Sequence, residues 1–364
     1  MRVRKWSFPA AAVLLSLVVA LPLLEIVLRI EYAVRQRYRP SLAFVSDDLG
    51  WLPTPGLSTS YGKRGYADEI FYSTNADGFR RFGDPDSSKT KVWAVGDSTT
   101  QAYHVSDGQA YYDVLADLHP GLEVFGYGVG GYGTVQQAMV LERFWDVIEP
   151  DVVLWQLCSN DLINNDWVLE SSSNEHNNHM ARPYLGEDGR IELRHPDLRL
   201  GWLARRSLLV RRLVVLRSSL RKRSRGSIEA ELHADHPGLQ RAVATTRRAI
   251  QRRIAAAPGV TFLAFFVPSP EDQGWATEAW TEICELPGLE CLTEVGEALE
   301  AARRSGVTID GGSDPHWNAA GHEIAAQAVF ERLRRDLPLE PEPAGRARYW
   351  LPLTGHPSLA HRAG

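Results

Sequence analysis

The stretch "KVWAVGDSTTQAYHV", residues 91–105, carries a hydrophobic run straight into Gly96-Asp97-Ser98-Thr99. A short apolar run that stops at a polar turn reads as a buried strand, and its relation to other such runs decides the fold. Three more follow, "LEVFGYGV" (122–129), "DVVLWQLC" (151–158) and "VTFLAFFVP" (260–268), with a weaker "VTID" at 307–310. Between them, "GQAYYDVLADLHPG" and "TVQQAMVLERFWDVIEPD" space apolar residues three and four apart and end near Pro or Gly, as helices do. Apolar strands separated by helices predict an α/β fold, with a parallel sheet of about five strands covered on both faces. About 100 residues lie between the third and fourth runs, more than a crossover needs, so an inserted helical and loop segment is expected over about 165–235.

The flanking regions have their own signatures. Arg2, Arg4 and Lys5 precede an uncharged run from Trp6 to Leu24, long enough as a helix to cross a hydrocarbon core of roughly 30 Å. Residues 1–35 are therefore expected to form a membrane anchor. A cleaved signal peptide is the alternative, but no small-x-small cleavage pattern follows the run. Three basic residues before the run face Arg29, Arg35, Arg37 and Arg39 after it, so charge alone does not orient the span. Pro22 would kink it. Residues 36–90 are rich in Gly, Pro, Ser and aromatics, which predicts turns and short strands as a lead-in to the main domain. Residues 199–225 carry ten basic side chains and no acidic one, with Leu and Val between them. Such a helix could lie on an anionic membrane surface or pack on the domain. Residues 337–364 read as a disordered tail.

The overall balance, 40 basic against 45 acidic residues for a net charge of −5, gives no electrostatic footprint for nucleic acid. Cys158 ends an apolar run and reads as a small buried hydrophobe. Cys284 and Cys291 bracket the turn "ELPGLE" and could pair in an oxidising compartment.

A serine hydroxyl is a weak nucleophile at neutral pH; it needs a base within hydrogen-bond reach and donors for the charge that forms on the substrate oxygen. In an open parallel sheet, the loops at the carboxyl ends of the strands gather at one edge. Those loops hold Ser98, then "GYGVGGYGT" (126–134), then "CSNDL" (158–162) with Asn160, then "GGSDPHWNAAGH" (311–322) with Asp314 and His316. Pro315 biases Asp314 toward extended backbone, where residues two apart project to the same side, so Asp314 can orient the His316 ring. Trp317 is expected to pack nearby and Asn318 to cap the following helix. His322, on that helix, reads as a surface or satisfied histidine. "HNNH" (176–179) offers two possible metal ligands without a third, and Asp272 has no supporting neighbours. Neither metal nor organic cofactor is implied.

Over roughly residues 90–335 these blocks resemble the SGNH hydrolase superfamily, the GDSL-like esterases and lipases. The resemblance implies a three-layer α/β/α, flavodoxin-like catalytic domain at 91–336. It implies Ser98 as nucleophile, His316 as base and Asp314 as its partner, with Ser98, Gly131 and Asn160 forming the oxyanion hole. Three positions depart from the family pattern. Gly126 stands for the usual Asn and Cys158 for the usual Gly, while Ser313 occupies the usual place of the acid, with Asp310 as a weaker substitute. The Asp-x-His-Trp form resembles the alginate-acetylation branch. The lead-in pattern Gly50-Trp51, Pro55-Gly56 and Asn75 to Arg80 is similar to that of bacterial envelope proteins, implying a single pass through the cytoplasmic membrane with the catalytic domain outside. The expected function is ester hydrolysis through a Ser98 acyl-enzyme, acting on acyl esters of envelope carbohydrate or lipid. Acetyl transfer to an exopolysaccharide is the first alternative, and an inactive carbohydrate-binding or assembly protein is the second.

Overall fold

Val92, Trp93, Ala94 and Val95 are all buried, and a segment apolar on both faces is stable only between two covering layers. The computed structural model, which describes residues 7–38, 41–173, 180–194, 203, 206–225, 228–268 and 274–336, places this segment at the centre of a sheet. The chain begins with helix α1 (Ser7–Tyr38), followed by two antiparallel hairpins, β1 (Ala43–Ser46) with β2 (Gly50–Pro53) and β3 (Ser58–Lys63) with β4 (Ala67–Ser73). These are the short strands expected of the lead-in.

The catalytic domain then alternates β5 (Thr90–Gly96), α2 (Ser98–Gln101), α3 (Tyr111–Leu118), β6 (Leu122–Gly128), α4 (Thr134–Ile148), β7 (Val152–Cys158), α5 (Ser159–Asn165) and α6 (Trp167–Ser172). The insertion contributes the hairpin β8 (Arg182–Leu185) and β9 (Ile191–Arg194), then helix α7 (Leu208–Arg225). Helix α8 (Pro237–Ala256), β10 (Thr261–Val267), α9 (Trp275–Cys284), β11 (Leu289–Cys291), α10 (Thr293–Arg304) and α11 (Ala319–Asp336) complete the described chain.

The five-stranded sheet has the order β11-β10-β7-β5-β6, and every pair in it is parallel. The chain leaves β5 for β6 on one side and returns to β7 on the other, so a crevice opens beside the end of β5 where the winding reverses. Leu115 of α3, Leu299 of α10 and Val329 of α11 pack on one face of the sheet. Val140 of α4, Val243 of α8 and Trp280 of α9 pack on the other. The expected parallel sheet between helical layers is what forms.

One expectation needs correction. The fifth strand is Leu289–Cys291, paired with Phe262–Ala264 of β10, and not 307–310. There the Val307 N–H is turned back to the Ala302 carbonyl at the end of α10, and the segment offers only a single bridge between Asp310 and Trp317. The N-terminal apolar run is helical from Ser7. The helix continues to Tyr38 with Pro22 inside it, and among the described residues no helix is long and apolar enough to cross a membrane. Residues 6–11 and 14 of the expected span lie outside the described side chains, as do His176, His179 and Asp272. The tail 337–364 is likewise outside the described residues.

The basic segment is engaged by α1. Glu25 accepts the backbone N–H groups of Leu208 and Leu209 and the Ser207 hydroxyl, and Arg212 pairs with Glu31 at 2.8 Å. The described part of α7 therefore packs on α1, while Leu213, Leu216 and Leu220 stay exposed. Cys284 and Cys291 form a disulfide, and Cys158 is buried.

His322 is buried, with Nδ1 accepting the Tyr111 N–H at 3.3 Å. Burial, helped by the positive field of Arg80, pushes its pKa from 6.5 down to about 3. The folded ring thus stays neutral where the unfolded ring takes a proton. Its contribution is constant above pH 6.5 and is lost as pH falls from 6.5 toward 3, at up to about 1.4 kcal/mol per pH unit. Chemical denaturation between pH 7 and 4.5 should show this slope, and His322→Asn should flatten it; an unchanged slope would refute the assignment.

Candidate active site

The turn after β5 is fixed from beneath before any chemistry is considered. Gln156 Oε1, from the buried face of β7, accepts the N–H groups of Asp97 and Thr100 and the Thr100 hydroxyl at 2.9–3.2 Å. Asp97 caps α2 by accepting the Thr99 N–H at 3.0 Å. Ser98 is thereby the first residue of a four-residue helix, held at the carboxyl edge of the sheet.

His316 Nε2 lies 2.8 Å from Ser98 Oγ, and His316 Nδ1 lies 2.6 Å from Asp314 Oδ1. A carboxylate on Nδ1 fixes the tautomer with its proton there, which leaves Nε2 free to accept the serine proton. Asp314 Oδ1 also accepts the His316 N–H at 3.2 Å, so the two-residue spacing closes a tight local loop. Asp310, the weaker candidate acid, turns away to Arg303 at 3.1 Å. Trp317 is buried and stacks on Phe265, and Asn318 Oδ1 caps α11 by accepting the Gly321 N–H at 3.1 Å.

Gly131 and Asn160 line the same cavity as Ser98 and His316, a space of about 370 Å³. Gly131 has φ +75°, a conformation that glycine adopts without strain. Among the described residues, no acceptor takes its N–H. Among the described residues, Asn160 Nδ2 meets Asn164 Oδ1 at a long 3.4 Å. The departures at Gly126 and Cys158 have packing reasons. A Cβ at Gly126 would lie 2.6 Å from the Tyr112 ring. The Cys158 thiol is buried with its pKa pushed well up by burial, and it donates to Asp97 at 3.5 Å.

Several site residues escaped the sequence reading. Lys63 Nζ, at the end of β3, reaches Asp314 Oδ2 at 3.0 Å and His104 Nε2 at 2.6 Å. The His104 ring stacks on His316 with centroids 4.2 Å apart. Burial first, then the fields of His316 and Lys63, push the His104 pKa down to about 2, so its ring is neutral and accepts from the lysine. Burial acts to raise the Asp314 pKa, but hydrogen bonds from His316 and Lys63 outweigh it and hold the carboxylate well below its ordinary value. Tyr66 OH ties the backbone by donating to the carbonyls of Asp314 and His316. His104 stood within the opening stretch, but nothing local marked it; Lys63 and Tyr66 sit in a hairpin whose register the sequence does not reveal.

His104, Asp314 and His316 bring three ligand-type atoms within 4.8 Å of one another, as a metal site would. The ammonium of Lys63 already lies against two of those atoms, and its charge opposes a second cation there. A larger cavity of about 500 Å³, lined by Trp167, Arg194 and Arg241, opens on the insertion. Two of its arginines are paired, Arg241 with Asp166 and Arg194 with Glu192, and it holds none of the Ser98 set.

Residues 94–324 match the model of the GDSL-like Lipase/Acylhydrolase family. The chain belongs to this family. It is accordingly a hydrolase acting on ester bonds, of the wider SGNH superfamily. Similar solved structures include a lipolytic G-D-S-L family protein from Veillonella parvula, 12% identical, covering 67% of this chain and 98% of that one with a TM-score of 0.39. The lipase/acylhydrolase from Enterococcus faecalis is 13% identical over 69% of this chain and 98% of its own, with a TM-score of 0.39. An acetyl xylan esterase from Butyrivibrio proteoclasticus is 12% identical over 74% and 67%, with a TM-score of 0.34. No curated protein matches this chain.

Lys63→Met removes the cation bridging Asp314 and His104 and keeps the length of the side chain. The kcat/KM for an aryl acetate should fall by about tenfold, the scale of one charge-assisted hydrogen bond, with circular dichroism unchanged. A wild-type kcat/KM would show the bridge to be inert.

Proposed function

We propose that the protein is a serine esterase that forms an acyl-enzyme on Ser98. The observation that carries this reading is the continuous contact chain from Ser98 Oγ through His316 to Asp314, at 2.8 and 2.6 Å. In this mechanism His316 Nε2 takes the proton as Ser98 Oγ attacks the ester carbonyl. Asp314 stabilises the imidazolium formed, and the N–H groups of Ser98 and Gly131 with the Asn160 amide receive the oxyanion. The imidazolium then returns its proton to the leaving alcohol, and the acyl group passes to an incoming hydroxyl by the reverse sequence.

The substrate that fits best is a short acyl ester of a polyhydroxylated alcohol on an envelope carbohydrate. The cavity at Ser98 holds only about 370 Å³, and its apolar surface comes from the separate side chains of Tyr103, Cys158, Val267, Pro268 and Pro315, set among polar groups and backbone. A long acyl chain needs a continuous apolar groove to bury its methylenes, each worth about 0.8 kcal/mol. The Asp-x-His-Trp form favours acetyl as the acyl group and keeps transfer to a sugar hydroxyl as the second reading. Product analysis with acetylated oligosaccharide, in the presence and absence of an unacetylated acceptor, separates water from sugar as the second nucleophile.

The decisive test is labelling by a fluorophosphonate. Wild type should be labelled at Ser98, while Ser98→Ala should be unlabelled and lose kcat by at least about 10³-fold. An unlabelled wild type would favour a non-catalytic binding role.

We also propose that residues 6–24 attach the protein to the cytoplasmic membrane with the catalytic domain outside. Support comes from the apolar run itself and from exposed Leu15, Val18, Leu23, Ile26 and Val27 on the described part of α1. The full chain should sediment with membranes through alkaline carbonate washing, and a chain starting at residue 36 should not. Recovery of the full chain in the soluble fraction would overturn this placement.

A further inference from the structure

A glycine loop that donates an N–H to an oxyanion must hold its peptide planes still, because a donor displaced in the ground state loses its advantage at the transition state. Glycine supplies no side chain for that purpose, so the restraint must come from groups packed behind the loop. Two such groups meet here, one from the lead-in and one from the insertion.

The N–H of Gly131 belongs to the peptide unit whose carbonyl is that of Gly130. Trp51 Nε1, in β2, donates to this carbonyl at 3.2 Å. Arg182 Nη1, in β8, donates at 2.8 Å to the carbonyl of Gly131, the next peptide unit. The same nitrogen donates to Gln136 Oε1 at the start of α4, also at 2.8 Å. Two consecutive peptide planes are thus gripped on their carbonyl sides. A hydrogen bond to a carbonyl polarises the N–H of the same unit, so the Trp51 contact strengthens the Gly131 N–H as a donor.

The grip is itself supported. Arg182 and Glu170 are each 1% exposed and form an ion pair of 2.6 Å, at an angle short of a hydrogen bond. Tyr184 OH donates to Glu170 at 2.8 Å. The Arg182 guanidinium lies 5.0 Å from the centre of the Trp51 ring, joining the two donors. The neighbouring backbones meet so closely that a Cβ at Gly50 would fall 2.0 Å from the Ala181 carbonyl oxygen.

We infer that Trp51 and Arg182, with Glu170 behind them, are positioning residues for the oxyanion-binding loop, which makes the lead-in and the insertion parts of the catalytic apparatus. This inference rests on Gly131 being an oxyanion donor. It assigns the loop's supports to kcat, since a fixed N–H matters most when charge has developed on the substrate.

Arg182→Met alone would leave Glu170 buried without its partner, so the test uses the full chain carrying Glu170→Gln with Arg182→Met, which removes both charges. Trp51→Phe is made separately, because it keeps an aromatic ring beside Arg182 while removing the Nε1 donor. With an aryl acetate, kcat should fall by roughly tenfold or more in the double variant and roughly threefold to tenfold in Trp51→Phe, with KM within about twofold. Affinity for a trifluoromethyl ketone, which forms a tetrahedral adduct, should weaken in parallel with kcat. Restoring Arg182 beside Glu170→Gln should recover more of kcat than of thermal stability. Wild-type kcat in Trp51→Phe, or losses confined to KM, would overturn the inference. Fluorophosphonate labelling of wild type distinguishes the two possible failures. No label at Ser98 sinks the acyl-enzyme reading, whereas a label with unchanged kcat in the variants sinks only the role of the clamp.

Discussion

Ser98 Oγ and His316 Nε2 stand 2.8 Å apart although 218 residues separate them in sequence. No local preference can maintain such a contact; it depends on the rigidity of the layer between. β5 supplies that rigidity because both of its faces are packed and both of its edges are paired, with β6 on one side and β7 on the other. The side chains that fill the faces, such as Trp93 and Trp155, are wholly buried. A shift of one strand by one residue would drive these rings into the opposite helical layer, which is already filled by other side chains, and carry Ser98 away from its partner. Packing of the core and alignment of the site are therefore a single requirement.

The polar groups beneath the serine extend the same logic. Gln156 lies on a strand otherwise apolar, where an unpaired amide would be costly. It is tolerated because its oxygen gathers three donors from the turn above. The Lys63 bridge serves the second half of the site in a similar way. Asp314 must be charged to stabilise an imidazolium, yet it sits in a partly buried cluster with two histidine rings. The lysine keeps it ionised without crowding the His316 side of the carboxylate, because it binds the other oxygen.

Much of this was legible in sequence for identifiable reasons. The first four sheet strands are long apolar runs in which burial on both faces leaves an unmistakable pattern, and each ends at a polar loop. The Asp314–His316 pairing was legible because Pro315 restricts the backbone between them. β11 was not legible, since three residues carry too little pattern, whereas 307–310 has the right composition without a partner strand. Lys63, Tyr66, Trp51 and Arg182 were hidden for a different reason. They come from hairpins in the lead-in and the insertion, and their roles exist only once those hairpins are docked. Trp51 was noticed as part of a motif, but its indole hydrogen bond to the glycine loop is a matter of tertiary placement.

The disulfide between Cys284 and Cys291 joins the end of α9 to β11, the outermost strand of the sheet. That strand has one neighbour and three paired positions, which makes it the least anchored edge of the central sheet. An open edge of this kind exposes backbone donors and acceptors to other chains. The covalent link ties the strand to α9, so that its position does not depend on those hydrogen bonds alone. The oxidation state of the surroundings in which the chain folds thereby bears on how firmly the outermost strand is held to the sheet.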